Sequence, residues 1–180
     1  MLVDEAHAFG VIGPEGKGLS HDIFGPLEMI SGTFGKAFGG GGAFLACNKE
    51  LGNQLLQKSG AFHYTTALSP PLAAAALASL KLIKDNPQWG REIQQNAKRW
   101  RLRLSAEGWT RPPGFGQILS LIIGPDQKAL DQQKRLEAEN LLSVAIRPPT
   151  VPEGKARLRI ALRKGLPDEA LGRLIQTLKS

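Results

Sequence analysis

Gly32-Thr33-Phe34-Gly35-Lys36-Ala37-Phe38-Gly39-Gly40-Gly41-Gly42 is the stretch that decides the fold, and it lies downstream of the run Leu2-Val3-Asp4-Glu5-Ala6-His7. The glycines give Lys36 a mobile stem and allow close approach of the backbone to a bound molecule. The upstream run places a carboxylate, Asp4, at the end of a strand. Asp4 precedes Lys36 by 32 residues, which leaves room for a loop, a helix and a return strand.

The pairing of this lysine with this carboxylate is typical of a pyridoxal phosphate site. A lysine that forms an imine with the cofactor aldehyde, releases it to the substrate and then moves protons needs the mobility that flanking glycines allow. The ring nitrogen of the cofactor must stay protonated to act as an electron sink, so a carboxylate has to lie against it. The sequence therefore favours Lys36 and Asp4 as the centre of such a site.

The same stretches resemble the α-oxoamine synthases, pyridoxal phosphate enzymes that condense an amino acid with an acyl-CoA thioester. The resemblance covers the family's aspartate strand and following loop, its cofactor-lysine signature, a segment that reaches the neighbouring subunit's cofactor, and a C-terminal segment typical of the biotin-pathway members. These are, in order, Val3–Gly10 with Gly13–Gly18, Thr33–Gly39, Tyr64–Thr66, and Ala145–Pro152 with Ala156–Ile160.

The resemblance implies an α/β fold. Residues 1–68 would form part of the large domain of a fold type I, aspartate aminotransferase-like transferase, and would carry the lysine. Residues 69–108 would be linking helices, and 109–180 a small C-terminal α/β sandwich domain. Family members normally carry a further stretch of comparable length before the aspartate motif. We therefore expect this chain to be the C-terminal part of a synthase, as a truncated reading frame, a fragment or one piece of a split protein.

The resemblance also assigns roles around the cofactor. Lys36 would bind the cofactor aldehyde and later move protons at the substrate carbon. Asp4 would pair with the pyridinium nitrogen, Ala6 would pack under the ring, and His7 would hydrogen-bond near the ring hydroxyl. Thr33 resembles the threonine near the cofactor phosphate.

Further assignments concern the substrate and the neighbouring subunit. Thr66 would reach the phosphate in the other subunit, which implies a homodimer with a shared active site. Arg159 would clamp the substrate carboxylate, a task suited to a planar bidentate donor; a strand-end surface arginine is the alternative. Arg147, before two prolines, is a weaker candidate for the mouth of the site. The implied substrates are L-alanine and pimeloyl-CoA, and the alternatives are a sister synthase or a non-catalytic half-chain that needs a complementary partner.

Three other families have motifs similar to these stretches, but this sequence lacks the residues that each motif requires at fixed positions. Asp4–His7 also spells the metal-binding box of a helicase class, which requires a phosphate loop upstream. Around Lys36, Ile30 stands where the first glycine of a phosphate loop belongs, and Ala37 stands where Ser or Thr must hold magnesium. The dinucleotide fingerprint fails too, because its last glycine would fall at Phe44.

Composition narrows the function further. The chain has 23 basic and 16 acidic residues, a net charge of +7, without a nucleic-acid-reading motif. We therefore expect the charge to serve an anionic substrate or to be simply the surface of this half of the enzyme, and we expect no nucleic acid. The basic run Lys98–Arg103 is interpreted as a solvated helix face. Cys47, the only cysteine, is expected in a buried strand and excludes an intramolecular disulfide or a cysteine-based metal cluster. With no signal peptide and no long apolar run, we expect a cytoplasmic chain with no metal and no membrane span.

Periodicity predicts the elements that carry these residues. In the first part of the chain we expect strands at 1–3, 29–33 and 43–47, then a helix from Pro70 to about Lys84 and another from Trp89 towards Gly108. In the second part we expect a strand at 117–123, a helix at 126–141 with Asp126 as its N-cap, strands at 143–146 and 157–162, and a terminal helix with the apolar stripe Leu171, Leu174, Ile175 and Leu178. The order βαββα predicts one sheet face covered by helices.

Overall fold

The structure is a computed structural model that describes residues 1–23 and 25–179. It divides into two compact units, Met1–Arg91 and Glu92–Ser180. The division lies between Arg91 and Glu92, inside the helix Trp89–Ala106. The sequence instead predicts that residues 69–108 form a separate group of linking helices. The three-part division into 1–68, 69–108 and 109–180 therefore stays a prediction. Each unit is described by itself.

The first unit contains a three-stranded sheet. Its strands are β1 (Leu2–Asp4), β2 (Met29–Thr33) and β3 (Ala43–Cys47), in the order β1-β2-β3. β1 and β2 are parallel, with Asp4 paired to Ser31, whereas β2 and β3 are antiparallel. The predicted strands at 29–33 and 43–47 are confirmed. Because β1 and β2 run in the same direction, their carboxyl ends lie at one edge of the sheet.

Helices follow the sheet in the first unit. They are α1 (Lys49–Lys58), α2 (Gly60–His63) and α3 (Pro70–Asp85), and two short 3-10 turns precede β2. The start of α1 is capped by Asn48, whose side chain accepts a hydrogen bond from the Leu51 N–H at 2.8 Å. α3 begins with prolines in its first turn, where no N–H partner is needed, which confirms the predicted helix.

The predicted burial of β3 is wrong. The strand forms, but its residues are exposed or half-buried, and Cys47 is half-buried. β3 pairs with β2 only, so it is an edge strand among the described elements. An apolar run indicates a strand that can be buried, but it does not say which other segment covers it.

The second unit has the predicted βαββα order after one long helix. That helix is α4 (Trp89–Ala106), of which residues 92–106 belong to this unit. It is followed by β4 (Ile118–Gly124), α5 (Asp126–Ala138), β5 (Val144–Ile146), β6 (Ala156–Ala161) and α6 (Ala170–Lys179). The sheet order is β4-β6-β5, and both pairings are antiparallel. β6 is therefore central, and its residues alternate between buried and more exposed positions.

The core of the second unit lies on the buried face of this sheet. Leu119 and Leu121 from β4 and Leu158 from β6 are fully buried. They pack with apolar residues of α4, α5 and α6 in one cluster that includes the predicted stripe residues Leu174, Ile175 and Leu178. These contacts bury the apolar stripes of the helices, which is the main source of their stability.

Two sequence predictions in the second unit need correction. Pro125 is the N-cap of α5 and Asp126 is the first helical residue, so the side chain of Asp126 makes no cap hydrogen bond. The basic run Lys98–Arg103 is not uniformly solvated, because Arg101 is only 2% exposed. Among the described residues, no helix combines the length and hydropathy needed to cross a bilayer.

Candidate active site

The candidate site lies at the sheet edge where β1 and β2 end. Asp4 is the last residue of β1, and Thr33 is the last residue of β2. Lys36 follows Thr33 by three residues, in the connection from β2 to β3. Ligands of α/β proteins commonly bind outside the carboxyl ends of parallel strands. The parallel pairing of β1 and β2 thus brings Asp4 and the loop that carries Lys36 to the same edge of the sheet.

Asp4 is held in its charged form. Its carboxylate accepts a hydrogen bond from the Ala6 N–H at 2.9 Å. This bond is the main cause of a pKa below the usual value, and a hydrogen bond from Ser31 and the positive charges of Lys36 and His7 lower the pKa further. Asp4, Lys36 and His7 therefore interact electrostatically, and the carboxylate is ionised at neutral pH.

The loop that carries Lys36 is closed at its base. The Phe34 N–H donates to the Gly42 carbonyl at 2.9 Å, and the Thr33 hydroxyl donates to the same carbonyl at 3.1 Å. The Thr33 hydroxyl also accepts from the Gly35 N–H at 3.1 Å. Lys36 itself is exposed between these closing bonds. An exposed lysine side chain is thereby carried by a loop whose base is closed by hydrogen bonds.

One glycine of the loop is required by its surroundings. Gly42 has φ +95°, and a Cβ at this position would lie 2.9 Å from a methyl carbon of Leu68. Any L-residue here would have to adopt a left-handed backbone, and the end of the Leu68 side chain would have to move aside. Between Lys36 and Gly42, the Ser79 hydroxyl of α3 donates to the Phe38 carbonyl at 2.7 Å. α3 therefore fixes the second half of the loop.

Four phenylalanines form an aromatic cluster that includes two residues of the lysine loop. Phe9 stacks on Phe38 with ring centroids 5.3 Å apart, and Phe34 contacts Phe38 edge to face at 5.4 Å. Phe44 contacts both Phe9 and Phe34 at 5.5 Å, which closes the cluster. Aromatic pairs at these separations are favourable. The cluster joins the segment after Asp4 to both arms of the lysine loop, a contact that sequence reasoning missed because no local spacing links these rings.

Glu5 is a second residue that sequence reasoning missed. It is 1% exposed, and its carboxylate accepts hydrogen bonds from the Leu19 N–H at 3.0 Å and the Ser20 N–H at 2.5 Å. Its own N–H donates to the Ser31 carbonyl at 2.8 Å. Glu5 thus ties the loop before β2 to the end of β1. The sequence did contain a signal for this role, because Glu5 follows Asp4 at the end of an apolar strand. A carboxylate that is buried there requires hydrogen-bond donors.

The remaining predicted cofactor residues of the first unit differ in their surroundings. Ala6 is half-buried and His7 is exposed, both in the turn that follows Asp4. Thr66 is exposed in the connection between α2 and α3. The hydroxyl of Thr33 donates its proton within the lysine loop, so it can offer an outside ligand only acceptor capacity while that bond persists.

The two predicted substrate arginines lie in the second unit. Arg159 is half-buried on β6, paired with Ser120 of β4 and Val144 of β5. It is one of the residues lining a cavity of about 860 Å³ within that unit. Arg147 is exposed directly after β5. In residues 1–23 and 25–179, no group of three or more His, Cys, Asp or Glu side chains is arranged to hold a metal ion.

Comparison with known proteins identifies the family. Residues 1–178 match the family model described as aminotransferase class I and II. The chain is 38% identical over 179 residues to 8-amino-7-oxononanoate synthase of Gluconacetobacter diazotrophicus, with 99% of this chain and 45% of the relative covered. It is similarly 39% identical to the Methylococcus capsulatus enzyme of that name, covering 99% of this chain and 47% of the relative.

Solved structures agree in fold. The chain superposes on the crystal structure of 8-amino-7-oxononanoate synthase from Francisella tularensis with a TM-score of 0.83 and 27% identity, covering 99% of this chain and 52% of that one. It also superposes on a structure of SPT with PLP at a TM-score of 0.88 and 24% identity, covering 99% of this chain and 47% of that one, which supports the fold alone.

These matches confirm the fold class and the resemblance predicted from the sequence. The chain spans about half the length of the curated relatives it matches. The lysine loop, the strand ending at Asp4 and all of the βαββα unit except Lys179, the last residue of α6, lie within the matched residues. The chain belongs to the aminotransferase class I and II family.

Proposed function

We propose that this chain carries the lysine-bearing part of an 8-amino-7-oxononanoate synthase, a pyridoxal-phosphate-dependent acyltransferase. The whole enzyme would condense L-alanine with a pimeloyl thioester, with loss of carbon dioxide and coenzyme A. The observation that carries the proposal is the parallel pairing of β1 with β2, which puts ionised Asp4 and Lys36 at one sheet edge. The relatives named above support the choice of substrates.

The chemistry of the donor set fits pyridoxal phosphate. An ionised carboxylate suits a protonated pyridine nitrogen, an exposed primary amine suits an aldehyde, and an imidazole suits the ring hydroxyl. Asp4, Lys36 and His7 provide these three groups, and they already interact electrostatically. When bound, the cofactor supplies an electron sink for the negative charge that develops on the substrate carbon.

The residues of this chain would divide the remaining tasks. Lys36 would hold the cofactor through its aldehyde group, and its amine would move protons at the substrate carbon. Asp4 would keep the ring nitrogen protonated, which favours the transition state over the ground state. Ala6 would contact the ring face, and Thr33 would lie near the phosphate, where it can accept but not donate while bonded to Gly42.

Substrate and subunit contacts extend the proposal. Arg159 would bind the carboxylate of the amino acid through its two parallel N–H donors, and Arg147 would lie at the mouth of the site. Thr66 would contact the cofactor phosphate of the second subunit in a homodimer, for which its exposure is suitable. We propose a cytoplasmic enzyme divided into the cofactor segment 1–68, the linking helices 69–108 and the small domain 109–180.

An absorption experiment tests the cofactor proposal. The purified chain is mixed with pyridoxal phosphate, and the visible band that the cofactor gains on attachment to an amine is recorded before and after addition of L-alanine. We expect a band that Lys36→Ala abolishes and that alanine shifts. Lys58→Ala is the matched control, because Lys58 is also exposed and lies at the end of α1. A band of equal strength in Lys36→Ala would contradict the role of Lys36.

A substrate panel tests the reaction. The protein is supplied with alanine, glycine or serine together with pimeloyl, acetyl, succinyl or long-chain acyl-CoA, and release of free coenzyme A is measured. Turnover with alanine and pimeloyl-CoA supports the proposal. Turnover only with glycine or serine would assign the chain to a sister synthase. Absence of turnover with an intact cofactor band would mean that this chain acts only with a complementary polypeptide.

A further inference from the structure

Arg101 is a buried charge, and among the described residues its hydrogen-bond partners are backbone carbonyls rather than carboxylates. Its Nη2 donates to the carbonyl oxygens of Gly116 at 2.8 Å, Ile118 at 3.0 Å and Pro113 at 3.5 Å. Its Nε and Nη1 are buried and have no hydrogen-bond acceptor among the described residues. Burial and the nearby charge of Arg111 lower its pKa, but a guanidinium remains charged in proteins. An uncompensated positive charge of this kind is costly.

A cavity of about 300 Å³ lies against this guanidinium. It is formed between α4 and the loop 110–116, and it is lined by Gln94, Gln95, Lys98, Arg101, Arg111, Gly114 and Phe115. Three of these side chains are cationic, and none of the lining residues that the structure describes is acidic. Lys98 follows Gln94 by one helical turn and Arg101 follows Lys98 by nearly one turn, so a single face of α4 presents these groups.

The three cations differ in what they can offer a ligand. The guanidinium of Arg101 is fixed by three carbonyl groups and provides a rigid source of positive potential at the base of the cavity. Lys98 and Arg111 are exposed, so their long side chains can turn towards a bound group. The adjacent loop contains Gly114 with φ +80°, and backbone N–H groups in such turns add donors for an anion.

We propose that the second unit binds the phosphate group of a small molecule between α4 and the loop 110–116. A phosphate carries nearly two negative charges at neutral pH and three acceptor oxygens, which matches three cations better than a single carboxylate does. Phe115 is 61% exposed at the rim of the cavity, where its ring can contact an organic group attached to the phosphate. The site belongs to unit 2 and does not depend on the proposed reaction.

Titration with inorganic phosphate tests this site. Amide signals of the ¹⁵N-labelled chain are recorded by NMR at constant ionic strength, maintained with sodium chloride. We expect saturable shifts at Gly114 and Phe115. The double variant Lys98→Gln/Arg111→Gln removes two exposed cations and should weaken binding about tenfold or more. The matched control Lys128→Gln/Lys134→Gln removes the same charge from exposed positions of α5 and should leave binding unchanged.

A second probe distinguishes the source of the phosphate. Phenyl phosphate and inorganic phosphate are titrated in parallel with the native chain and with Phe115→Ala. Tighter binding of phenyl phosphate that Phe115→Ala removes would assign the site to an aromatic phosphate ester. Equal binding of both would assign it to free phosphate.

Two results would overturn the proposal. One is a set of shifts that stays linear in phosphate concentration, and the other is equal affinity in the native chain and in Lys98→Gln/Arg111→Gln. The single variants Lys98→Gln and Arg111→Gln provide the same comparison if the double variant loses its dispersed spectrum. Because both side chains are exposed, we expect all three variants to fold.

Discussion

Replacement of Glu5 by glutamine tests whether this buried carboxylate positions the strand end that carries Asp4. The native carboxylate accepts two hydrogen bonds, from the N–H groups of Leu19 and Ser20. A glutamine of the same shape has only one acceptor oxygen, so its NH₂ group must face one of these two donors. The substitution therefore removes one charge-assisted bond and leaves an N–H without an acceptor.

The size of the effect follows from the number of bonds lost. A hydrogen bond to a charged group contributes about 1.5–3 kcal/mol, so Glu5→Gln should lower the free energy of unfolding by about that amount. Glu5→Ala loses both bonds and should lower it by about 3–6 kcal/mol on the same scale. Urea denaturation followed by circular dichroism measures these differences, and amide hydrogen exchange reports opening of the Leu19 and Ser20 N–H groups.

The control is Glu15→Gln, which removes an exposed carboxylate that pairs with Lys17 at 3.1 Å. An exposed ion pair contributes about 0–1 kcal/mol, so this variant should be close to the native chain. The reasoning is refuted if Glu5→Gln is as stable as Glu15→Gln, or if the Leu19 and Ser20 amides exchange no faster.

Three further substitutions or titrations address other parts of the molecule. The carboxyl signal of Asp4 should titrate by NMR with a midpoint below its usual value of 3.8; since the folded pKa is depressed, its stabilising contribution is complete above 3.8 and is lost as the pH falls through the folded pKa, and a midpoint at or above 3.8 would contradict the hydrogen bond from Ala6. Leu158→Ala should lower the free energy of unfolding by about 2–5 kcal/mol, whereas Leu142→Ala, at a position 90% exposed, should change it by less than about 0.5 kcal/mol; similar values for both would mean that the assigned core is wrong. Gly18 has φ +95°, and Gly18→Ala places a methyl group 2.8 Å from the carboxyl carbon of Glu5. The substitution should lower the free energy of unfolding, measured by urea denaturation, by about 1–3 kcal/mol; an unchanged denaturation midpoint would exclude the close approach.

Local patterns in the sequence predicted where helices and strands lie better than they predicted which residues are buried. Periodicity predicted β2 and β3 with the bounds that the structure shows, and the start of α3 was predicted at Pro70, where the helix begins. The half-exposed state of Cys47 could not be predicted, because burial depends on which segments cover the sheet. Asp126 resembled an N-cap, but the chain enters the helix one residue earlier at Pro125.

The candidate site shows the same limit. Asp4 and Lys36 were recognised because each lies in a short, distinctive run. The hydrogen bonds that support them were not recognised. The Ser20 N–H donates to Glu5 across 15 positions, and the Ser79 hydroxyl donates to Phe38 across 41 positions. Charge patterning also misled the interpretation of Arg101, because three backbone carbonyls separated from it in sequence bury and hold its guanidinium.

The pairing of Asp4 with Ser31 means that the candidate site can assemble only in discrete steps. Side chains alternate between the two faces of a strand, so a slip of one residue between β1 and β2 would present Val3 or Glu5 where Asp4 now lies. The correct and the slipped pairing of β1 with β2 differ by a whole residue, so no intermediate pairing lies between them. An electrostatic effect of Lys36 on the titration of Asp4 is therefore a yes-or-no reporter of correct strand pairing, and it can be read before any ligand is added.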